Sequence, residues 1–574
     1  MPSPTASMKK AAVPLVLCGT LLAVAFAARL AAARTWNALT RYASPYVLAN
    51  GFAPARPNTP QAQHLVLVLV DGLREDASRA MPFLNELRSR GADVRARAGL
   101  PSLSLPGRAA LVTGAWQSVH GQVTNFNPRP LPVGHLFDAL HRAGMTAELA
   151  AHAGTHTMAG PEHLAIVYTS APHGGPGAPD MAAFERELHE SAAAARALYQ
   201  SAHPNFAQID LLIADEAGHA FGASSEQYRR AAQLADSEIR SIASMLDLTR
   251  DVLIVTSDHG HIGVGGHGGS EELVLQIPLV MVGAGIRAGA SAVAEQVDVA
   301  PTMATLLGVE IPAMNEGRVL LEALTLAPAE RAEAWRALAA QRERAAAVLM
   351  RVIDPSGAAT TARATATDSA YLSQLDAAIS ARRVERRARD ERIRLPRALA
   401  LALLPLLALA VAWRLGATSG TELGHAALGT VAALALYGAL FDVAGLSYSF
   451  SAVNAEEHLG AFFNHAMLLA LCATAVGVVV AVTWRRRGAP APALDLARLG
   501  LGVSALTAYA FAAAALATHA RFGIVMHWEV PNMFWGFGFY LDVLSLMAVG
   551  FAAPVMAGLA VGVGWALRRR AAVN

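Results

Sequence analysis

Asp71-Gly72, Asp215 with His219, and Ser257-Asp258-His259-Gly260 are three groups of carboxylates and imidazoles, far apart in the chain, each following an apolar run. Oxygen and nitrogen donors of these kinds bind divalent cations. The only cysteines, Cys18 and Cys472, both lie inside apolar stretches, so neither a cysteine-built metal site nor a disulfide framework competes. Asp258 and His259 offer one donor of each type from adjacent positions, and Asp215 and His219 offer the same pair from one compact turn. His261 and His267 follow in a glycine-rich loop. A lone histidine at a strand end is more often a surface or hydrogen-bonding residue. Several such charges gathered in one pocket are costly unless cations neutralise them, so the set predicts a metal centre.

Ser104 stands in Pro101-Ser102-Leu103-Ser104-Leu105-Pro106-Gly107-Arg108, just before a predicted helix through Leu111. A hydroxyl at a helix start has backbone donors nearby, and contact with a metal lowers its pKa, which makes it a nucleophile toward phosphorus. Its composition alone equally fits an N-cap. Asn125, beyond His120-Gly121, can hold a phosphoryl oxygen through its amide or simply form a turn.

The elements that must position these groups alternate short β-branched runs with amphipathic helices from His64 to about Gly308, the pattern of an α/β domain with a covered, mostly parallel sheet. His64–Val70, Asp210–Ala214 and Val252–Thr256 read as strands, and open α/β sheets build their sites at carboxyl edges. Of the 574 residues, 54% are hydrophobic and only 16% charged, so much of the chain lies outside water and extensive disorder is excluded. With 46 basic and 44 acidic residues the charge is near balance, and no nucleic-acid partner is expected.

Six apolar stretches read as membrane spans: Ala11 to about Ala33, then near Ala398–Trp413, which is short and contains Pro405, Leu423–Leu440, Phe462–Trp484, Leu501–His519 and Val543–Leu567. The first reads as a retained anchor, with a cleaved signal peptide as its alternative. The expected organisation is a membrane anchor at 1–35, a catalytic domain at 60–325, a helical and linker region at 326–397 and a five-span membrane domain at 398–574. Within the third region Pro328–Ile353 and about Tyr371–Ile393 read as helices around a small-residue linker, Asp354–Ser369. Lys9, Lys10, Arg414, Arg485–Arg487 and Arg568–Arg570 fall on one side of a six-span layout, which the positive-inside rule makes the cytoplasm. The catalytic domain then faces the extracytoplasmic side of a plasma or inner membrane.

As an ordered set, Asp71-Gly72, Ser104 with Pro106, Thr113-Gly114, His120-Gly121, Asp215 with His219, and Ser257-Asp258-His259-Gly260 resemble the alkaline phosphatase superfamily. The similarity is greatest to its type I phosphodiesterase and nucleotide pyrophosphatase branch, which includes the GPI ethanolamine phosphate transferases. Asp298-Val299-Ala300-Pro301-Thr302 through Leu307-Gly308 resembles the terminal signature of that family. The resemblance implies an alkaline phosphatase-like α/β fold and two divalent ions, zinc above all. One would be held by Asp71, Asp258 and His259 with Ser104, the other by Asp215, His219 and His267. It further implies Ser104 as nucleophile and Asn125, twenty-one positions later, as the phosphoryl-binding amide. Two features depart from the pattern: Ser104 stands where nucleotide pyrophosphatases carry Thr, and Arg108 replaces a usual nearby His.

The implied activity is phosphodiester hydrolysis or phosphoethanolamine-type transfer through a covalent phosphoserine-type intermediate, with a membrane lipid headgroup as the candidate substrate. Ser104-Leu105-Pro106-Gly107-Arg108-Ala109-Ala110-Leu111 also resembles the sulfatase activation motif, so a membrane-bound sulfatase is the rival enzyme. A nonenzymatic membrane scaffold is the rival of another class.

Overall fold

The computed structural model describes residues 4–46, 59–169, 180–355, 369–485, 491–524, 527–530 and 532–573. The chain divides into two compact units. One comprises Leu39–Arg387 with Met526–Val530, and the other Met1–Ala38, Ala388–Val525 and Pro531–Asn574.

The first unit is built on an eight-stranded sheet: β1 (His64–Val70), β2 (Ala92–Arg97), β3 (Ala147–Ala151), β4 (Ile166–Thr169), β5 (Phe206–Leu211), β6 (Asp251–Thr256), β7 (Gln276–Gly283) and β8 (Ser291–Glu295). Their order is β4-β3-β5-β1-β6-β7-β2-β8, and every pairing is parallel except those of β7 with β6 and β2. The mostly parallel α/β class expected from the sequence is therefore borne out. Strand β1 shows why its sequence is apolar throughout. Leu65, Leu67 and Leu69 enter a core shared with Leu111, Phe137 and Met303. Val66, Val68 and Val70 enter the opposite core with Leu188, Tyr228 and Ile239. Helices cover both faces, so neither can be polar.

The strand expected over Asp210–Ala214 ends earlier. β5 stops at Leu211, and Ile213–Phe221 is helical, so Asp215 and His219 stand one helical turn apart and not in a turn. The helix Pro328–Ile353 forms with the bounds read from the sequence, while most of the expected linker after it lies outside the described residues.

Glu148, on β3 beside Ala207 of β5, is fully buried, and neither of its carboxylate oxygens has a hydrogen-bond partner. Burial pushes its carboxyl up to about 7. Between the unfolded value near 4.5 and 7 the folded protein keeps a proton that the unfolded chain has lost, so this group costs stability increasingly as pH rises. The cost above that window is on the order of 3 kcal/mol. Glu148→Gln is expected to raise the melting temperature of the full chain by a few degrees at pH 8 and to leave it nearly unchanged at pH 5, which thermal unfolding at the two pH values measures.

Among the described residues six helices are long and apolar enough to cross a membrane: Ala12–Thr40, Tyr371–Arg414, Gly420–Val443, Glu456–Arg485, Ala493–Phe522 and Met533–Phe551. The multi-pass character read from the sequence is borne out, with two differences in the helices. The basic helix and the first C-terminal span are one continuous helix, Ser369–Arg414, with Pro396 and Pro405 inside it. The last apolar stretch starts earlier than expected, at Met533, and breaks at Ala552 before the helix Ala553–Val573. Pro554 lies just beyond the break, where it offers no N–H to the preceding turn. Helices Gly420–Val443 and Leu459–Arg485 meet backbone to backbone: a Cβ on Gly429 would lie 2.5 Å from the Gly477 carbonyl oxygen, and one on Gly477 2.4 Å from that of Gly429. Arg486 and Arg487, part of the orientation argument, lie outside the described residues.

Candidate active site

Three adjacent strands, β5, β1 and β6, deliver their carboxyl ends to one edge of the sheet. Asp71 follows β1 directly and donates its N–H to the Leu211 carbonyl at the end of β5. Gly72 then takes φ +69°, and its N–H donates to Asp258 Oδ1 beyond β6 at 3.2 Å. The His259 N–H donates to the same oxygen at 3.0 Å. The other Asp258 oxygen, Oδ2, and Asp71 Oδ1 are buried without hydrogen-bond partners.

Ser104 opens the helix Ser104–Thr113, but the N-cap is Leu103 and no side chain caps this end. The capping alternative therefore falls away. The hydroxyl instead lies 3.2 Å from His259 Nε2. Gly107 makes this approach possible, because a Cβ there would sit 2.8 Å from the Asp258 carbonyl oxygen and 2.9 Å from its Cβ. The backbone donors expected around Ser104 are largely committed: the Leu105 N–H donates to Asn125 Oδ1 at 2.9 Å, Pro106 has none, and the Gly107 N–H donates to the Leu103 carbonyl. With its oxygen turned to the Leu105 N–H, Asn125 keeps both N–H donors of its amide for a further partner.

Side chains of Asp71, Asp258 and His259 approach closely enough to hold one ion, and those of Asp215, His219, His261 and His267 another. His219 Nε2 lies 3.2 Å from His267 Nε2 and 3.4 Å from Asp215 Oδ2. The rings of His259 and His267 stack at 3.8 Å between centroids. Hydrogen bonds to the far side of these rings assign their protons. His259 Nδ1–H donates to the Gly260 carbonyl at 3.1 Å, and His267 Nδ1–H donates to the Ser102 carbonyl at 3.1 Å. Each neutral ring therefore keeps its Nε2 lone pair for the pocket. Burial pushes His259 down to about 4 and His267 well below the ordinary imidazole range, so both are neutral at physiological pH. Burial, reinforced by the charge of Asp71, drives the Asp258 carboxyl well above the usual range. Burial raises that of Asp215 too, but His219 and His261 outweigh it and hold the group well below its ordinary value.

The eight residues expected from the sequence thus gather at one sheet edge: Asp71, Ser104, Asp258 and His259 on one side, with Asn125 hydrogen-bonded beside Ser104, and Asp215, His219 and His267 on the other. Orphaned carboxylate oxygens and inward lone pairs fit divalent cations on chemical grounds.

Three further residues take part in roles that the sequence did not assign to them. Arg108 is buried against Asp71, with its Nε 3.2 Å from Asp210 Oδ2 and 3.7 Å from Asp258 Oδ2. It is a fixed counter-charge beneath the carboxylates, and Asp210 is its deep anchor. The third is His261, whose Nε2 lies 2.8 Å from Asp215 Oδ1. A separate grouping of His135, Asp138 and His163 is a capping network: His135 Nδ1 accepts the Asp138 N–H at 3.3 Å, which leaves the ring proton on Nε2 and removes that lone pair from metal binding.

Residues 65–131 match the model of the type I phosphodiesterase/nucleotide pyrophosphatase family, and residues 178–311 that of the metalloenzyme superfamily. Among curated proteins the chain is similar to GPI ethanolamine phosphate transferase 1 of Homo sapiens, 26% identical over 324 residues, covering 48% of this chain and 34% of that protein. It is also similar to the protein of that name from Emericella nidulans, 24% identical over 342 residues, covering 47% and 35%. The chain spans about a third of the length of these relatives. A solved structure of wild-type alkaline phosphatase aligns with a TM-score of 0.40 and 11% identity, over 46% of this chain and 100% of that one. The family models bear out the superfamily resemblance read from the sequence.

Proposed function

We propose that this protein is a two-zinc phosphodiester hydrolase or phosphoethanolamine-type transferase that works through a covalent intermediate on Ser104 and acts on a lipid headgroup at the extracytoplasmic face of a membrane. The observation that carries this reading is the approach of the Ser104 hydroxyl to His259 Nε2 at the edge where both ligand sets converge. Asp71, Asp258 and His259 with Ser104 would hold one ion, and Asp215, His219 and His267 the other. Bound there, divalent cations would supply the positive charge that favours ionised Ser104 and stabilises a departing alkoxide.

The chain's own residues do the positioning. The helix held against Asp258 through Gly107 fixes the Ser104 oxygen, which attacks the phosphorus of a diester while the P–O bond to the leaving alcohol breaks. The Asn125 amide N–H donates to a non-bridging oxygen. An oxygen nucleophile then attacks the phosphorus of the resulting seryl phosphodiester from the vacated side and restores the serine: water gives hydrolysis, an acceptor alcohol gives transfer. The names of the curated relatives support an ethanolamine phosphate as the group moved, and the six apolar helices support a substrate met at a membrane.

The test compares phosphodiester, phosphomonoester and sulfate-ester hydrolysis by the full chain in detergent, with metal content measured alongside. Turnover of the diester with two zinc ions per chain is expected, and sulfate-ester turnover with one calcium would overturn the reading. Sulfatases generally use one calcium and a paired Asp after the first strand, whereas here Gly72 follows Asp71 and a second set of carboxylate and imidazole donors is present.

A further inference from the structure

His261 stands among the candidate ligands of the second ion, yet its hydrogen bonds are opposite in sense to those of His259 and His267. The Gly266 N–H donates to His261 Nδ1 at 3.1 Å, so this nitrogen is an acceptor and the neutral ring carries its proton on Nε2. That Nε2–H points at Asp215 Oδ1, 2.8 Å away. A ring in this tautomer has no lone pair left on the pocket side. It donates to a ligand instead of being one.

We infer that His261 is a positioning residue: it holds the Asp215 carboxylate through Oδ1, which also lies 3.7 Å from His267 Nε2, and so keeps the group, with Oδ2 3.4 Å from His219 Nε2, turned toward a cation shared with His219 and His267. This rests on the proposed assignment of Asp215, His219 and His267 as a metal-ligand set. The surroundings of the ring support it independently. His261 is fully buried, and glycines flank it on both sides. A Cβ at Gly218, in the helix that carries Asp215, would lie 2.8 Å from His261 Cδ2 and Nε2. A Cβ at Gly72 would lie 2.9 Å from the same Nε2 and 2.8 Å from Asp215 Cα. Any side chain at either position would displace the imidazole from Asp215. The loop that supplies the Gly266 N–H closes back on itself through the Ile262 N–H, which donates to the Gly266 carbonyl at 3.0 Å. The acceptor role of Nδ1 is therefore built into the loop. Donors of this kind fix ligand orientation, and their loss typically weakens metal binding about 10- to 100-fold.

The experiment titrates zinc in the full chain against a chromophoric chelator and resolves two binding constants. Four variants are compared with the wild type: His261→Met, His261→Gln, Gly218→Ala and Asp215→Asn, with the last also combined with His261→Met. His261→Met is expected to weaken one of the two zinc sites roughly 10- to 100-fold and to leave the other within about threefold. His261→Gln, whose amide still donates, should recover most of the loss, and Gly218→Ala should reproduce it. In the Asp215→Asn background, His261→Met should add almost nothing, because the two act through one contact. Two unchanged constants in a folded His261→Met protein would overturn the inference while leaving the two-zinc reading intact. So would an equal loss at both sites, or a His261→Gln protein no better than His261→Met. A wild type that binds fewer than two zinc ions would overturn both.

Discussion

Ser104→Ala is expected to lower phosphodiester turnover by roughly 10^4-fold or more, the scale seen when an enzyme loses its nucleophile, while the protein stays folded and keeps its metal. The two halves of this expectation come from different features of the residue. The loss follows from the hydroxyl being the oxygen that approaches His259 Nε2 from the start of its helix. Retention of the fold follows because Ser104 is not an N-cap, so the roughly 1 kcal/mol that a capping serine contributes is not at stake. Asp71, Asp258 and His259 remain to bind an ion. Ser104→Thr, which restores the residue type of the nucleotide pyrophosphatases, should recover part of the rate. Metal content and turnover measured on the same samples separate the outcomes: near-wild-type turnover in Ser104→Ala removes the nucleophile assignment, and joint loss of metal and activity reassigns the residue to a structural role.

Stripping divalent metal from the wild type is expected to abolish turnover and to lower the melting temperature. Asp71, Asp210, Asp215 and Asp258 crowd one sheet edge, and Arg108 meets three of them. One guanidinium cannot balance four carboxylates, so cations that bind only the folded arrangement stabilise it, by about 4 kcal/mol when the free metal is a thousandfold above its dissociation constant. Zinc added back should restore both activity and melting temperature, and calcium should restore neither. The pH dependence has a definite sign: the ligands bind metal in their deprotonated forms, so affinity falls as pH is lowered. Full activity after exhaustive chelation would remove the metal reading, and rescue by calcium alone would transfer the site to the sulfatase alternative.

Much of this was legible in the chain because the informative residues are adjacent to elements with strong patterns. The LVLVLV core of β1 and the run before Ser257 announce strands buried on both faces, and Asp71 and Asp258-His259 follow them at once. Asp215 and His219 read as a pair because they stand close together after an apolar run, and the structure sets that short spacing on one face of a helix instead of in a turn. What escaped depends on the direction of a hydrogen bond. Nothing in the run Gly260-His261-Ile262 says which imidazole nitrogen a distant Gly266 N–H will reach, and that contact alone separates His261 from His267. Arg108 appeared only as a departure from a family pattern. Its purpose emerges when Asp210, at the end of an apolar strand, is found beneath it. The break at Ala552 also went unread, since hydropathy runs across Pro554 without a change.

Gly107 sets the distance between the serine helix and the Asp258 strand end by contact of main chain with main chain. The approach of the Ser104 helix to that strand end is thus set by backbone geometry. In the proposed reaction, the walls that admit donor and acceptor could then change without moving the serine helix, so that one alcohol could replace another while the chemistry stays the same.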